Sequence, residues 1–216
     1  MGRTKQNKQP QEPKQPIVYG IALETTGFSE NPYSEIIKVS VVDLANNQMI
    51  LDSLLSPKYG QFIDWGRKVT PYNGIMPNML IGCSCLLDQP EVAAKFSNIL
   101  LKASMLVTFS GPFVAGMLKK SQVYFPSIYD VQAAFKGIYL ASENPQADLT
   151  KNVSMHAICS SLGVDQNYLT DTRGKARAAG ECYKKLQAYL LQDSPLGDYV
   201  EDLYELRHIH IYSLTT

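Results

Sequence analysis

The chain has 216 residues, with 20 basic and 20 acidic side chains and 45% hydrophobic content. That length predicts one large domain, or one domain with appendages, and the hydrophobic share is enough for a buried core rather than a disordered chain. No window reaches the ~20 apolar residues of a membrane span, and no apolar stretch follows the first basic residues as in a secretory signal, so a cytoplasmic protein without a membrane partner is expected. Met1-Gly2 stands where a myristoylation signal begins, but Gln6 occupies the place of the required Ser or Thr. Zero net charge excludes a uniform coating for nucleic acid and leaves room for local patches.

Residues 1–16 hold Arg3, Lys5, Lys8 and Lys14 against Glu12 alone, among Gln and Pro, and read as a flexible basic tail. The ordered domain is expected over 17–192. Ile17 to Leu23 is short, apolar and β-prone, as a central strand is, and Thr25-Thr26-Gly27 and Asn31-Pro32 break it. Ile36 to Asp43 and Met49 to Leu55 are two further β-rich runs joined by Leu44 to Gln48, which predicts an antiparallel hairpin. Residues 57–90, rich in Pro, Gly and Asn, predict loop with short helices.

From Pro90 the period becomes helical, with Val92, Phe96, Ile99, Leu100 and Ala103 on one stripe. Met105 to Phe109 reads as a buried strand, Phe113 to Lys120 as a short helix, Tyr124 to Tyr129 as another strand, and a helix starts at Asp130. Residues 141–153 read as polar loop. Two helices follow: Ser154 to Leu162, ended by Gly163, and Lys175 to Leu191, where Lys175 heads a stripe of Ala179, Cys182, Leu186 and Leu190. Residues 193–216 predict an acidic helix and a strand, Arg207 to Leu214. No internal repeat is found. The order β-β-β-α-β-α-β-α-α indicates an α/β domain with a mixed sheet.

The four cysteines, Cys83, Cys85, Cys159 and Cys182, form no C-x-x-C pair and read as reduced thiols, some packed in the core. A zinc site on Cys83 and Cys85 lacks two ligands. His208 and His210 share one strand face, a weak metal signal beside the simpler reading of a solvated face.

These segments, in this order, resemble the DnaQ-like, or DEDDh, 3′-5′ exonuclease family, which has a ribonuclease-H-like fold. The family opens with D-x-E-T-T-G after a strand, and Ala22-Leu23-Glu24-Thr25-Thr26-Gly27 matches all of it except the Asp. Asn73-Gly74-Ile75, followed by Met79-Leu80, is similar to the family's H-G-I segment. Val107 to Val114 resembles V-x-H-N-x-x-F-D, and Ser154 to Gly163 the small helix before the third motif. That third motif, near H-R-A-L-x-D-A-x-A-T-A-E, falls on Thr170 to Glu181. The likeness spans about Ile17 to Leu191. It implies a mixed sheet with an antiparallel hairpin, flanked by helices.

Four carboxylates and a histidine carry the family's chemistry. Position by position they become Ala22, Glu24, Val114, Lys175 and, for the histidine, Thr170, so Glu24 alone is kept. Two-metal hydrolysis needs two divalent ions roughly 3.5–4 Å apart, held by oxygen ligands. Ala22 and Val114 supply no side-chain oxygen, and Thr170 is no general base near neutral pH. A lysine ~4 Å from a doubly charged ion is repelled by about 8 kcal/mol at an effective dielectric near 20, an upper bound because the side chain can swing away. No cofactor and no metal are therefore expected, and the resemblance implies a catalytically degenerate pseudo-exonuclease. The alternative is an active Mg- or Mn-dependent 3′-5′ exonuclease on DNA or RNA, with Asp130 and Asp171 as the nearest acids for replacement ligands around Glu24.

Lys175 heads an apolar stripe, so it is expected to point at the sheet and to need an anionic partner, for which Glu24 is the candidate. The alternative is a lysine that snorkels to solvent. Between Asn167 and Leu191 five basic residues (Arg173, Lys175, Arg177, Lys184 and Lys185) face two acids (Asp171 and Glu181), a local +3. Arg173, Arg177, Lys184 and Lys185 are thus candidate contacts to single-stranded nucleic acid, against the plainer reading of a solvated helix face. The competing class is a protein-assembly module, partner or homo-oligomer, docking through Tyr199, Leu203 and Tyr204 and the last strand. That segment equally fits packing on its own domain.

Overall fold

The computed structural model describes residues 16–59, 65–191 and 211–212. The basic tail, the acidic segment 193–206, and His208 and His210 lie outside the described residues. A mixed six-stranded sheet runs in the order β3-β2-β1-β4-β5-β6. Its strands are β1 (Val18–Thr25), β2 (Ile36–Asp43), β3 (Met49–Leu54), β4 (Met105–Thr108), β5 (Ser127–Asp130) and β6 (Ile211–Tyr212). The first three form an antiparallel meander, with Asn47 in the left-handed region (φ 60°) at the expected hairpin turn. β1, β4 and β5 are parallel neighbours, and β6 returns antiparallel on β5.

Helices cover both faces. β-strand alternation sends Ile21 and Leu23 to one side, where α2 (Pro90–Leu100) and α3 (Gly111–Lys120) supply Ala93, Phe96, Leu100, Val114, Met117 and Leu118 to a single core. The other side is covered by α4 (Val131–Ala134), α5 (Ala141–Glu143), α6 (Met155–Ser161) and α7 (Thr172–Leu191). A π-helical stretch, Phe135–Leu140, runs from α4 directly into α5. α7 lies close on β1. The Ala176 carbonyl occupies the space beside Gly20 that a Cβ would fill, and the Leu44 side chain does the same at Gly180.

Several boundaries differ from the sequence expectation for local reasons. β1 continues through Glu24 to Thr25 because Glu24 still pairs with Lys38, and the bulge comes only between Glu24 and Thr25. β5 starts at Ser127, after Pro126. α2 stops at Leu100, so Ala103 leaves its stripe, and its buried line is Ala93, Phe96, Ser97 and Leu100. The segment expected as loop from 141 keeps helical form to Glu143. α7 starts at Thr172, three residues early, because Asp171 caps it: Oδ1 accepts the Gly174 N–H at 2.7 Å. Lys175 is therefore the fourth helical residue, past the first-turn setting expected for it. Between β3 and α2 the chain forms α1 (Trp65–Asn73) and a 3₁₀ turn, Pro77–Leu80. Gly74 (φ 69°) reverses the chain there, so that Ile75 and Leu80 pack on Ile37 with Leu54 and Val69.

Candidate functional site

Along β1, Ala22 and Glu24 face α7. Ser40 and Lys38 lie opposite them on β2, and Asp52 lies opposite Ser40 on β3. The sheet thus presents a polar strip across three strands beneath the N-terminal turns of α7. Two features fix those turns. The Asp171 carbonyl accepts the Lys175 N–H at 2.9 Å, and the Tyr168 carbonyl presses into the space left by the missing side chain of Gly174.

From this helix Lys175 Nζ donates to Glu24 Oε1 at 2.6 Å, with side-chain exposures of 20% and 14%. This is the partner expected for Lys175, and it does not snorkel to solvent. Arg173 reaches β3 instead: its Nε donates to Asp52 Oδ2 at 2.6 Å and its Nη2 lies 2.5 Å from the same oxygen. Asp52 Oδ1 accepts from Ser40 Oγ at 2.7 Å and lies 3.9 Å from Lys38 Nζ. Burial pushes the Asp52 carboxyl up. Hydrogen bonds from Arg173 and Ser40 and the charges of Lys38 and Arg173 outweigh that, and hold it below the usual value. The strip alternates in sign, with three cations on two carboxylates.

The other family positions have local employment. Ala22 packs with Val42 and Ala176 under the helix. Val114 is buried among Met117 and Leu118 in the core on the opposite side of the sheet. Thr170 is exposed and donates from Oγ1 to the Asn167 carbonyl at 3.0 Å, within the 3₁₀ turn Gln166–Thr170. The two acids considered as replacement ligands are both helix caps. Asp171 caps α7, and buried Asp130 accepts the Ala133 N–H at 3.1 Å and the Gly111 N–H at 3.0 Å. Among the described residues, no group of three or more His, Cys, Asp and Glu side chains is placed to hold a metal ion. A pair of divalent ions does not fit the donors at these positions: two carry no oxygen, one is a cation, and the remaining carboxylate is taken up by that cation.

Of the four basic residues on α7, Arg173, Arg177 and Lys184 fall within about 40° of one another around the helix. Arg173 is committed to Asp52. Arg177 is half-buried, with its Nε shielded and without a hydrogen-bond partner. Lys184 is exposed and pairs with Glu181 at 2.9 Å, one turn along the same helix. Lys185 is exposed, turned ~100° from Lys184 around the helix. Sequence reasoning passed over Lys38, Ser40 and Asp52. The signal was available: the hairpin register pairs Ser40 with Asp52, and both are polar residues inside otherwise apolar strands.

No protein-family description matches the chain. No curated protein matches it. Solved structures do. Exonuclease X, in complex with 5′-overhanging duplex DNA, superposes with a TM-score of 0.55 at 11% identity, over 79% of this chain and 92% of that one. A 3′-exonuclease described for 3′-end recognition of the histone mRNA stem-loop gives 0.53 at 14% identity, over 82% of each chain. The Pan2 catalytic unit of Neurospora crassa, a protease and nuclease pair, gives 0.56 at 18% identity, over 91% of this chain but 31% of that one. At these identities the likeness is one of fold. It agrees with the mixed sheet, the antiparallel meander and the flanking helices, and the chain has the ribonuclease-H-like fold of the DnaQ-like exonucleases.

Proposed function

We propose that this protein is a noncatalytic member of the exonuclease-fold group, a pseudo-exonuclease that binds single-stranded nucleic acid without cutting it. One observation carries the reading: the Lys175 ammonium lies 2.6 Å from Glu24, the one family carboxylate that remains. A fixed side-chain cation thereby neutralises that acid, and paired mobile ions are not needed to do so. The pair is formed within the fold, and the site it occupies has no water-activating centre. Binding of nucleic acid is supported by two proteins of the same fold, one in complex with 5′-overhanging duplex DNA and one that recognises the 3′ end of the histone mRNA stem-loop. The exposed Lys185, and Lys184 in its exposed pair with Glu181, are the charges available to contact phosphates without sequence preference.

The test is incubation of the pure protein with end-labelled DNA and RNA single strands in magnesium or manganese. No nucleotide release is expected. Release that disappears in Glu24→Ala overturns the reading in favour of an active exonuclease. Binding is expected to weaken with salt and on joint substitution of Lys184 and Lys185. No binding at low salt turns the assignment towards a protein-assembly role.

A further inference from the structure

Two of the four cysteines, far apart in sequence, meet inside the molecule. Cys159 lies on α6 and Cys182 on α7. Both are fully buried, and their Sγ atoms stand 3.8 Å apart in the core that the two helices share with Ile158, Leu162, Ala178 and Leu186. The other two are neighbours on a loop, Cys83 half-buried and Cys85 buried. All four are free thiols.

We propose that Cys159 and Cys182 form a reversible redox site, closing to a disulfide that staples α6 to α7 when the protein meets a peroxide. A disulfide needs its sulfurs about 2.05 Å apart, so the thiols must close by ~1.8 Å. Rotation about the side-chain bonds, with a small shift of α6, provides this. α6 has seven residues and carries His156, Ala157 and Ser160 exposed on its outer side, so it can yield more readily than the twenty-residue α7. The chemistry balances with the peroxide as sole oxidant. One thiolate attacks the O–O bond, giving a sulfenic acid and releasing an alcohol, or water from hydrogen peroxide. The second sulfur then displaces water from the sulfenic sulfur, so two thiols and one peroxide end as one disulfide and two hydroxylic products. Either sulfur can attack first and the other resolve, because the two face each other in one buried contact.

Burial sets the rate. Neither sulfur touches solvent, so the peroxide arrives only when α6 opens locally, and the reaction is slower than oxidation of Cys83. The closed loop contains the 3₁₀ turn Gln166–Thr170 and the start of α7. The staple therefore tethers the part of the helix that carries Arg173 and Lys175. The inference is independent of the proposed function, because it concerns α6 and the stretch of α7 two turns beyond Lys175.

The experiment uses the full chain. Folded protein is treated with excess hydrogen peroxide, quenched, alkylated and digested without reduction for mass spectrometry. The expected product is a peptide pair joined through Cys159 and Cys182, two hydrogens lighter than the reduced pair and separated by dithiothreitol. The expected stability change is a rise in Tm of roughly 5 °C or more, reversed by dithiothreitol. The Cys159→Ser and Cys182→Ser variants are expected to lose the rise. Should both residues remain alkylatable after unfolding while Cys83 is fully oxidised, or emerge as separate sulfinic acids, the proposal falls. The wild-type comparison with and without dithiothreitol decides it even where a serine variant folds poorly.

Discussion

At its N-terminal turns α7 meets the sheet through charge, Lys175 with Glu24 and Arg173 with Asp52. One to three turns further on it meets its surroundings through Ala178, Ala179, Cys182 and Leu186, all fully buried. Both regions belong to one helix, yet they hold it differently. Apolar contact acts through volume, so any missing methyl group leaves a void. Ion pairs act through direction. They fix which strand each side chain reaches, and they gain little net stability once desolvation is counted. The small residues of α7 let the helix lie against Gly20, which brings lysine and arginine side chains within reach of two different strands.

The apolar half should therefore dominate stability. Leu186→Ala removes a fully buried side chain from the core between α7, α6 and the sheet and is expected to cost about 2–5 kcal/mol in urea unfolding. A loss below that of either charged substitution would reverse the comparison.

Next in size is the Glu24–Lys175 pair. Lys175→Met strands a carboxylate that is only 14% exposed, and Glu24→Gln strands a lysine that is 20% exposed. Each single change is expected to lower stability by about 1–3 kcal/mol, less than for a fully enclosed pair because water still reaches both groups. In the double variant, with neither charge left behind, the losses should not add. A coupling of about 1–2 kcal/mol in the double-mutant cycle is the expected reading. Additive losses would mean that the two side chains share a place but not an interaction.

The two halves of α7 also differed in how legible they were. Core strands and helices could be read from hydrophobic period alone: β2 falls at Ile36–Asp43 as expected, and the stripe through Ala179, Cys182 and Leu186 is buried as expected. The Glu24–Lys175 contact was legible too. A lysine heading an apolar stripe must find an anion, and the motif alignment placed one acid nearby. The Asp52–Arg173 contact was not, because an aspartate in an edge strand is usually solvated, and its partner lies 121 residues away. Nor was the start of α7. Asp171 was weighed as a ligand, whereas its physical role is to cap the helix, and that capping moves Lys175 one turn inward. The meeting of Cys159 and Cys182 depends on how α6 is laid across α7, a tertiary fact that no local period encodes.

The smallest effect expected is at Arg173, whose side chain is 56% exposed and whose pair is therefore well screened. Its signature is pH dependence rather than size. Asp52 is held below its ordinary 3.8 in the folded chain, so the unfolded chain takes up the proton first as acid is added. The stability this supplies is fully present above the ordinary value and is lost as pH falls through the lowered one. Arg173→Gln takes away a charge-assisted donor and leaves burial, which pushes the carboxyl up, opposed by Ser40 and Lys38 alone. The variant should be less stable than wild type at pH 7, and the gap should close below pH 3.8, because a protonated Asp52 has no charge for Arg173 to meet. Urea midpoints at pH 7 and at the acid limit of folding give the two gaps. A gap that stays constant into acid would assign the role of Arg173 to packing of its stem against β3, and the contrast between the charged and apolar halves of α7 would then hold only at Lys175.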